Sequence, residues 1–393
     1  MCEAGAPLTL REKLWRCLVA LEESPDKSYV VEDPKGCMRT AVWLTHATNN
    51  PRAKVIEAVI RYAIWVKRQA TEDGAKFAGL NEVPEAKAVL ERRLAPDCPD
   101  SPAVRSGYGV QFPRLWWLDP AWAQDNAKRI FPLTGEHNAR GWAAWNSYLV
   151  ANRVYEAVFH TLREVYEQAV DQLNEGLTGE GQHFNPLHNL AEHMAVLCGL
   201  GALAIDDEDG LLQRFFHNSA PAIRAHAIES VGTSLRGAEK LPEGIISRFV
   251  SLWKWYWSEF GAGRPDAPPE QFARFGSWLA CGKFEDEWCL NALADVVEVA
   301  PIIEPHQDVM EKLAELVERY PERVVHLVDR MVRADQMGWH VISCKEQLRS
   351  ILGAALSSGG DAKHKAERVI DYLGRRGGFE FGELLKTNQA HDG

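Results

Sequence analysis

Apolar positions recur with the period of an α-helix along almost the whole chain. Residues 9–22 set Leu10, Leu14, Leu18 and Leu21 on one stripe at i, i+4, i+8 and i+11. Residues 51–69 open with Asn50-Pro51, a side-chain cap followed by proline at the first helical position. There Val55, Val59, Tyr62 and Val66 share a face, and Ile56, Ala58, Ile60, Ile64 and Trp65 widen it. Only Lys54, Glu57, Arg61 and Arg68 leave a narrow polar strip, so neighbours must pack this helix on several sides. Asp119-Pro120 and Asn185-Pro186 open further helices, and 139–174 holds two with a break near Asn152. The same period continues over 208–216, 221–235, 242–260, 269–281, 286–299, 306–320, 321–334, 340–356, 361–374 and 378–386. Only Tyr29–Val31 and the proline-rich stretch 97–114 look extended. The pattern predicts an all-α chain of about sixteen helices with no significant β-sheet.

Prolines mark helix starts at 51, 84, 120, 186, 221 and 321, with several gaps near multiples of about 34 residues, the length of one helix pair in a solenoid. Asn218-Ser219-Ala220-Pro221-Ala222-Ile223-Arg224, followed by Ala227 and Val231, has the polar turn and spaced small residues of a HEAT repeat's second helix. The expected architecture is an α-solenoid of stacked antiparallel, HEAT-like helix pairs, with a compact bundle as the alternative. Stretches 71–82 and 97–112 read as linkers. The Gly/Pro-rich stretch 261–269 divides a larger part, 1–260, from a smaller one, 270–388.

Composition narrows the function. The net charge is -11, with 55 acidic against 44 basic residues, and nucleic-acid binding needs the opposite surplus. Eight scattered cysteines form no CxxC pair and no zinc-finger spacing, and read as small hydrophobes in a reducing compartment. No apolar run is long enough to span a membrane and no signal peptide is legible, so the cytoplasm is the expected location. Fourteen tryptophans suit both thick helix packing and binding surfaces.

Catalytic signatures are scarce. The chain has no GxxxxGK[ST], GxSxG or HExxH, and the glycine-rich run from Gly176 to Gly181 lacks the lysine of a phosphate cradle. The best cluster is Glu180, His183, His188, Glu192 and His193. His188 and Glu192 stand at i, i+4, a spacing metal ligands use, so His183, His188 and Glu192 are the candidate ligands of an alternative, metal-dependent enzyme. No cofactor is expected otherwise. Binding residues come from the tryptophans. On 242–260 the stripe of Ile245, Phe249, Leu252, Trp253 and Tyr256 leaves Trp255 about 140° away, beside Arg248. Either that helix is sandwiched or Trp255 is exposed. Trp116 and Trp117 raise the same question, because adjacent helical residues cannot both face one core.

Two segments resemble a known group of proteins. NNPRAKVIEAVIRYAIWVKR (49–68), and WWLDPAWAQDNAKRIFPL through ARGWAAWNSYLVANRVYEAVFHTLREVY (116–166), resemble the C-terminal helical region of large bacterial STAND NTPase and SIR2-type anti-phage defence proteins. The segment FARFGSWLACGKFEDEWCLNAL, and VVHLVDRMVRAD with the GWHV, ILGAAL and YLGRRGGFEFGELL that follow, resemble the end of such a chain. The resemblance implies a sensing or scaffolding role. No NTPase or effector domain precedes residue 49, so no catalytic residue is carried over. The expected function is a non-catalytic interaction module whose partner is a protein: a second copy, a companion effector subunit or a phage protein. No membrane or nucleic acid is expected.

Overall fold

The computed structural model describes residues 7–22, 44, 48–72, 74–95, 97–98, 101–136, 138–173, 185–261, 264 and 267–391. Among them every regular element is helical and no strand occurs. No helix is long and apolar enough to cross a membrane. Contacts divide the chain into two compact units, Met1–His193 with Gln213–Ser219, and Met194–Leu212 with Ala220–Gly393.

The first unit contains α1 (Arg11–Glu22), α2 (Pro51–Glu72), α3 (Pro84–Arg93), α4 (Pro102–Leu118), α5 (Pro120–Ile130), α6 (Asn138–Ala151) and α7 (Glu156–Asp171). The division falls within α8 (Pro186–Leu200) and α9 (Leu211–Asn218). The expected caps form. Asn50 Oδ1 accepts from the N–H groups of Arg52 (2.9 Å) and Ala53 (3.2 Å). Asp119 Oδ1 accepts from Trp122 N (3.0 Å), and Asn185 Oδ1 from Leu187 N (3.0 Å). Each satisfies amide donors that the first helical turn leaves open.

One sequence expectation is overturned here. The stretch 97–112, read as extended or linking, contains most of α4, a largely buried helix. Its glycines and prolines lower helix propensity, and tertiary packing overrides that. A Cβ on Gly109 would stand 1.9 Å from the Ala144 carbonyl oxygen, so only glycine lets α4 and α6 approach so closely. Pro113, inside α4, has no N–H to give to the Gly109 carbonyl four residues back. Asn152, just past α6, supplies the donor instead. Its Nδ2 reaches Gly109 O (3.5 Å) and Val110 O (3.2 Å). The other extended-looking piece, Tyr29–Val31, lies outside the described residues.

The second unit contains α10 (Pro221–Leu235), α11 (Ile245–Tyr256), α12 (Glu270–Ala273), α13 (Gly276–Cys281), α14 (Asp286–Val299), α15 (His306–Leu316), α16 (Pro321–Ala334), α17 (Trp339–Ser343), α18 (Lys345–Ser358), α19 (Gly360–Arg375) and α20 (Gly382–His391). The helices outnumber the sixteen read from the sequence because α3 and α4 add to the stretches read as helical and two long apolar runs are broken. Stretch 269–281 splits at Arg274-Phe275 into α12 and α13, and 340–356 splits at Cys344 into α17 and α18. Cys344 sits at φ -118° and ψ 29°, off the helical conformation.

Stretch 261–269 falls inside this unit and its flanks interlock. The rings of Tyr256 and Phe272 lie 5.8 Å apart, Trp257 and Phe272 5.3 Å, and Trp253 and Phe275 4.0 Å. The contact division therefore falls near residues 194–220 and not at that loop. On α10, Arg224 is buried. Its Nε donates to Gln271 Oε1 (3.2 Å) and its guanidinium lies 4.5 Å from the Phe260 ring. A neutral amide and an aromatic face thus replace the water the charge has lost.

Candidate functional site: an apolar cleft in the second unit

Four large apolar side chains are exposed far beyond the rest: Phe379 (78%), Met337 (76%), Ile342 (70%) and Trp339 (68%). An exposed aromatic or aliphatic side chain standing alone is ordinary; several converging ones mark a binding surface. These four belong to two short segments, 337–342 and the turn after α19; Met337 and Ile342 line a cleft of about 340 Å3 between them, while Trp339 and Phe379 stand outside its lining. Its floor is Val332, Leu373 and Phe381, all buried. Lys345, Arg376 and Glu380 line its mouth.

Local chemistry explains why the walls stand apart. Gly338 takes φ +73°, a left-handed value that glycine adopts freely, and this turns the chain out of α16 into α17. Val341 and Ile342 are β-branched and extend no long helix there. Buried Asp335 pins α17 through Oδ2, which accepts from Val341 N at 3.0 Å. Arg376, at the end of α19, clamps the same segment. It donates from Nη1 to Asp335 O (3.0 Å) and Tyr372 Oη (3.0 Å), and from Nη2 to Gln336 O. Across the cleft, Lys345 pairs with Glu380 at 3.1 Å and Arg349 Nη2 donates to Glu380 O at 3.1 Å. The cleft is braced at its base and apolar at its lips.

Beneath α17 lies a second, small cavity of about 10 Å3 lined by His306, Met310, Asp335, His340 and Cys344. The His306 and His340 rings are 4.3 Å apart, and His306 Nδ1 is buried with no hydrogen-bond partner among the described residues. Burial, and then the neighbouring His340, push His306 down to about 4. The His306 ring therefore sits as a neutral imidazole at neutral pH, packed as part of the cleft's foundation.

The residues singled out from sequence lie elsewhere. Trp255 is half-buried, with its ring edge against Phe260 at 5.9 Å. Arg248 is occupied by backbone oxygens, Gly199 O at 2.8 Å and Glu243 O at 3.0 Å, and so closes the end of α8. Trp116 is half-buried and donates from Nε1 to Thr161 Oγ1 at 3.0 Å. Trp117 is 47% exposed, but Lys67 Nζ stands 3.9 Å over its ring and donates to its carbonyl at 2.7 Å. Trp116 and Trp117 belong to the first unit, and Trp255 and Arg248 to the second.

His183 and Glu180 lie outside the described residues. His188 and Glu192 are half-buried on α8, each with an interaction of its own. His193 is buried: Nδ1 receives the Tyr166 hydroxyl at 2.7 Å and Nε2 meets Asn152 O at 3.1 Å. Its partners fix it as a core histidine, and burial lowers it to about 4. Among the described residues no group of three or more His, Cys, Asp and Glu is arranged to hold a metal ion. Burial pushes the Cys198 thiol up to about 12, away from the reactive thiolate.

The sequence carried one missed signal for the cleft. Met337-Gly338-Trp339 and Gly377-Gly378-Phe379 each place a large apolar residue beside a glycine outside the helical stripe. Comparison with protein families, with curated proteins and with solved structures returns no match, so nothing there links the chain to STAND NTPase or SIR2-type proteins.

Proposed function

We propose that this chain is a non-catalytic helical-repeat interaction module, a HEAT-like α-solenoid, that binds a protein partner through the cleft of its second unit. The observation that carries the proposal is a braced cleft with a buried apolar floor and two highly exposed aliphatic lips, Met337 and Ile342. Repeat packing within the units supports the solenoid. In the second unit α10 packs on α13, α13 on α15 and α15 on α18, while α12 packs on α14, α14 on α16 and α16 on α19. Two rows of contacts between helices two or three apart in the chain are what stacked helix pairs produce. In the first unit α2 packs on α4, α4 on α6 and α5 on α7. Trp255 and Arg248 are a weaker surface than the cleft, because their side chains already have neighbours and backbone acceptors. Trp117 is a second surface in the first unit. The anti-phage setting rests on the resemblance of 49–68 and 116–166 alone.

The test is affinity capture with the intact chain and a Met337→Ser/Ile342→Ser variant, with and without phage infection, followed by reconstitution of the captured protein. A stoichiometric partner whose affinity falls at least tenfold in the variant is the expected result. A partner that binds both chains equally would move the surface elsewhere, and the lack of any partner would remove the proposal.

A further inference from the structure

We infer that the occupant of the cleft is a short peptide segment of another protein, in which a bulky apolar anchor stands next to an Asp or Glu. The inference rests on the interaction reading above and names the chemistry of the partner.

Size argues for a peptide. A cleft of about 340 Å3 lies at the small end of ligand pockets, about 300–1,000 Å3, with room for one or two apolar side chains. Its exposed apolar lips are two aliphatic side chains, Met337 and Ile342, which offer far less surface than two folded partners need. A stable complex of two folded surfaces takes about 800 Å2 from each partner. A second copy is further disfavoured because each chain carries a net charge of -11.

Charge argues for the carboxylate. A guanidinium has five N–H donors. Arg376 uses two on Nη1, for Asp335 O and Tyr372 Oη, and one on Nη2, for Gln336 O. All three acceptors are neutral. Its Nε–H and one Nη2–H remain, the pair of parallel donors that grips a carboxylate bidentately. Arg376 is exposed at the mouth of the cleft, and the Tyr372 ring, 5.6 Å from the guanidinium, supports its plane. The other mouth cation, Lys345, is already paired with Glu380. The anchor thus enters between α17 and the turn after α19, and the neighbouring carboxylate meets Arg376. The walls are braced in the free chain, so little ordering opposes binding.

An array of 12-residue peptides tests this, each with one Trp, Phe, Leu or Ala anchor flanked by Glu, Gln or Lys, probed with the labelled full chain. Hits are then titrated by fluorescence anisotropy. The expected result is retention of apolar-anchored, Glu-flanked peptides, with binding at least tenfold weaker for Lys-flanked and Ala-anchored twins. Met337→Ser, a change at an exposed lip, abolishes binding, and Arg376→Gln removes the Glu-over-Gln preference while circular dichroism stays unchanged. No retained peptide, indifference to flanking charge, or binding untouched by Met337→Ser overturns the inference. Self-association in light scattering that Ile342→Asp abolishes also overturns it, in favour of a second copy. A reconstituted folded partner lost with Met337→Ser/Ile342→Ser, alongside a silent array, overturns this inference and leaves the interaction reading standing.

Discussion

The first unit and the cleft use the same residue types to opposite ends. Gly141-Trp142 and Gly338-Trp339 look alike in sequence, yet Trp142 is buried and Trp339 is among the most exposed side chains. In the first unit the aromatic residues are mutually satisfied. Trp145 stands edge-on to Tyr166 at 4.8 Å and to Phe131 at 6.1 Å, and it stacks on Tyr148 at 5.5 Å. The Tyr148 and Tyr166 hydroxyls are 3.4 Å apart, and Tyr166 passes its hydrogen bond on to His193. Each ring excludes water from the next, and the two hydroxyls and the His193 ring nitrogens have partners. At the cleft, only the base is satisfied this way, by Asp335 and Arg376. Trp339 and Phe379 stack on no other ring among the described residues. The difference teaches that aromatic content here has two uses, stability in one region and an unfilled surface in the other.

Breaking the first region should cost the most. Trp145→Ala removes the hub of the buried rings and is expected to destabilise the chain by about 3–5 kcal/mol. Urea denaturation measures this, and a loss below about 1 kcal/mol would contradict the hub role.

Acid should attack the same region. His193 is held neutral by burial, with its folded value lowered to about 4. The unfolded state takes up a proton near the ordinary value of about 6.5. Stability is therefore full above about pH 6.5 and is lost as pH falls through about 4, by on the order of 3 kcal/mol. Denaturant titrations at pH 7, 5.5 and 4.5 read the slope. A His193→Asn variant, weaker at pH 7, should lose less on acidification; an unchanged slope would assign the effect elsewhere. His306, also lowered to about 4, adds to the slope in the second unit.

Asp335→Ala sharpens the comparison at the cleft. It removes the acceptor for Val341 N–H, at a cost of about 1–2 kcal/mol. Hydrogen exchange should speed up over 336–344 and stay unchanged over 142–170. Equal acceleration in both would mean that Asp335 supports the chain globally and not α17 alone.

Phe379→Ser should change stability least, within about 0.5 kcal/mol, because its ring buries almost nothing. A larger drop in thermal midpoint would place the Phe379 ring in the core.

How much was legible follows from these particulars. The caps at Asn50, Asp119 and Asn185 were readable because a side chain and the amides two or three residues on form a local motif. Helix α4 was not, because its sequence disfavours a helix and its formation depends on Ala144 and Asn152, 35 and 39 or more residues away in the chain. The break at Cys344 was hidden by an apolar period that runs through it. The cleft was invisible for another reason: Met337 and Trp339 fall between the helical stretches 321–334 and 340–356, where no period says what covers them. Trp255 and Arg248 were singled out by helical angle, which cannot know that Phe260 and Gly199 O await them.

The sequence by itself determined that this chain is helical, where most helices begin, and that its net charge is negative. Those are consequences of short-range chemistry: period, capping and net charge need no knowledge of distant residues. Only the tertiary structure decided which apolar residues are core and which are lips, because burial depends on whether another helix arrives to cover a face. For α4 and the rings around Trp145, one arrives; over α17 and Phe379, none does among the described residues.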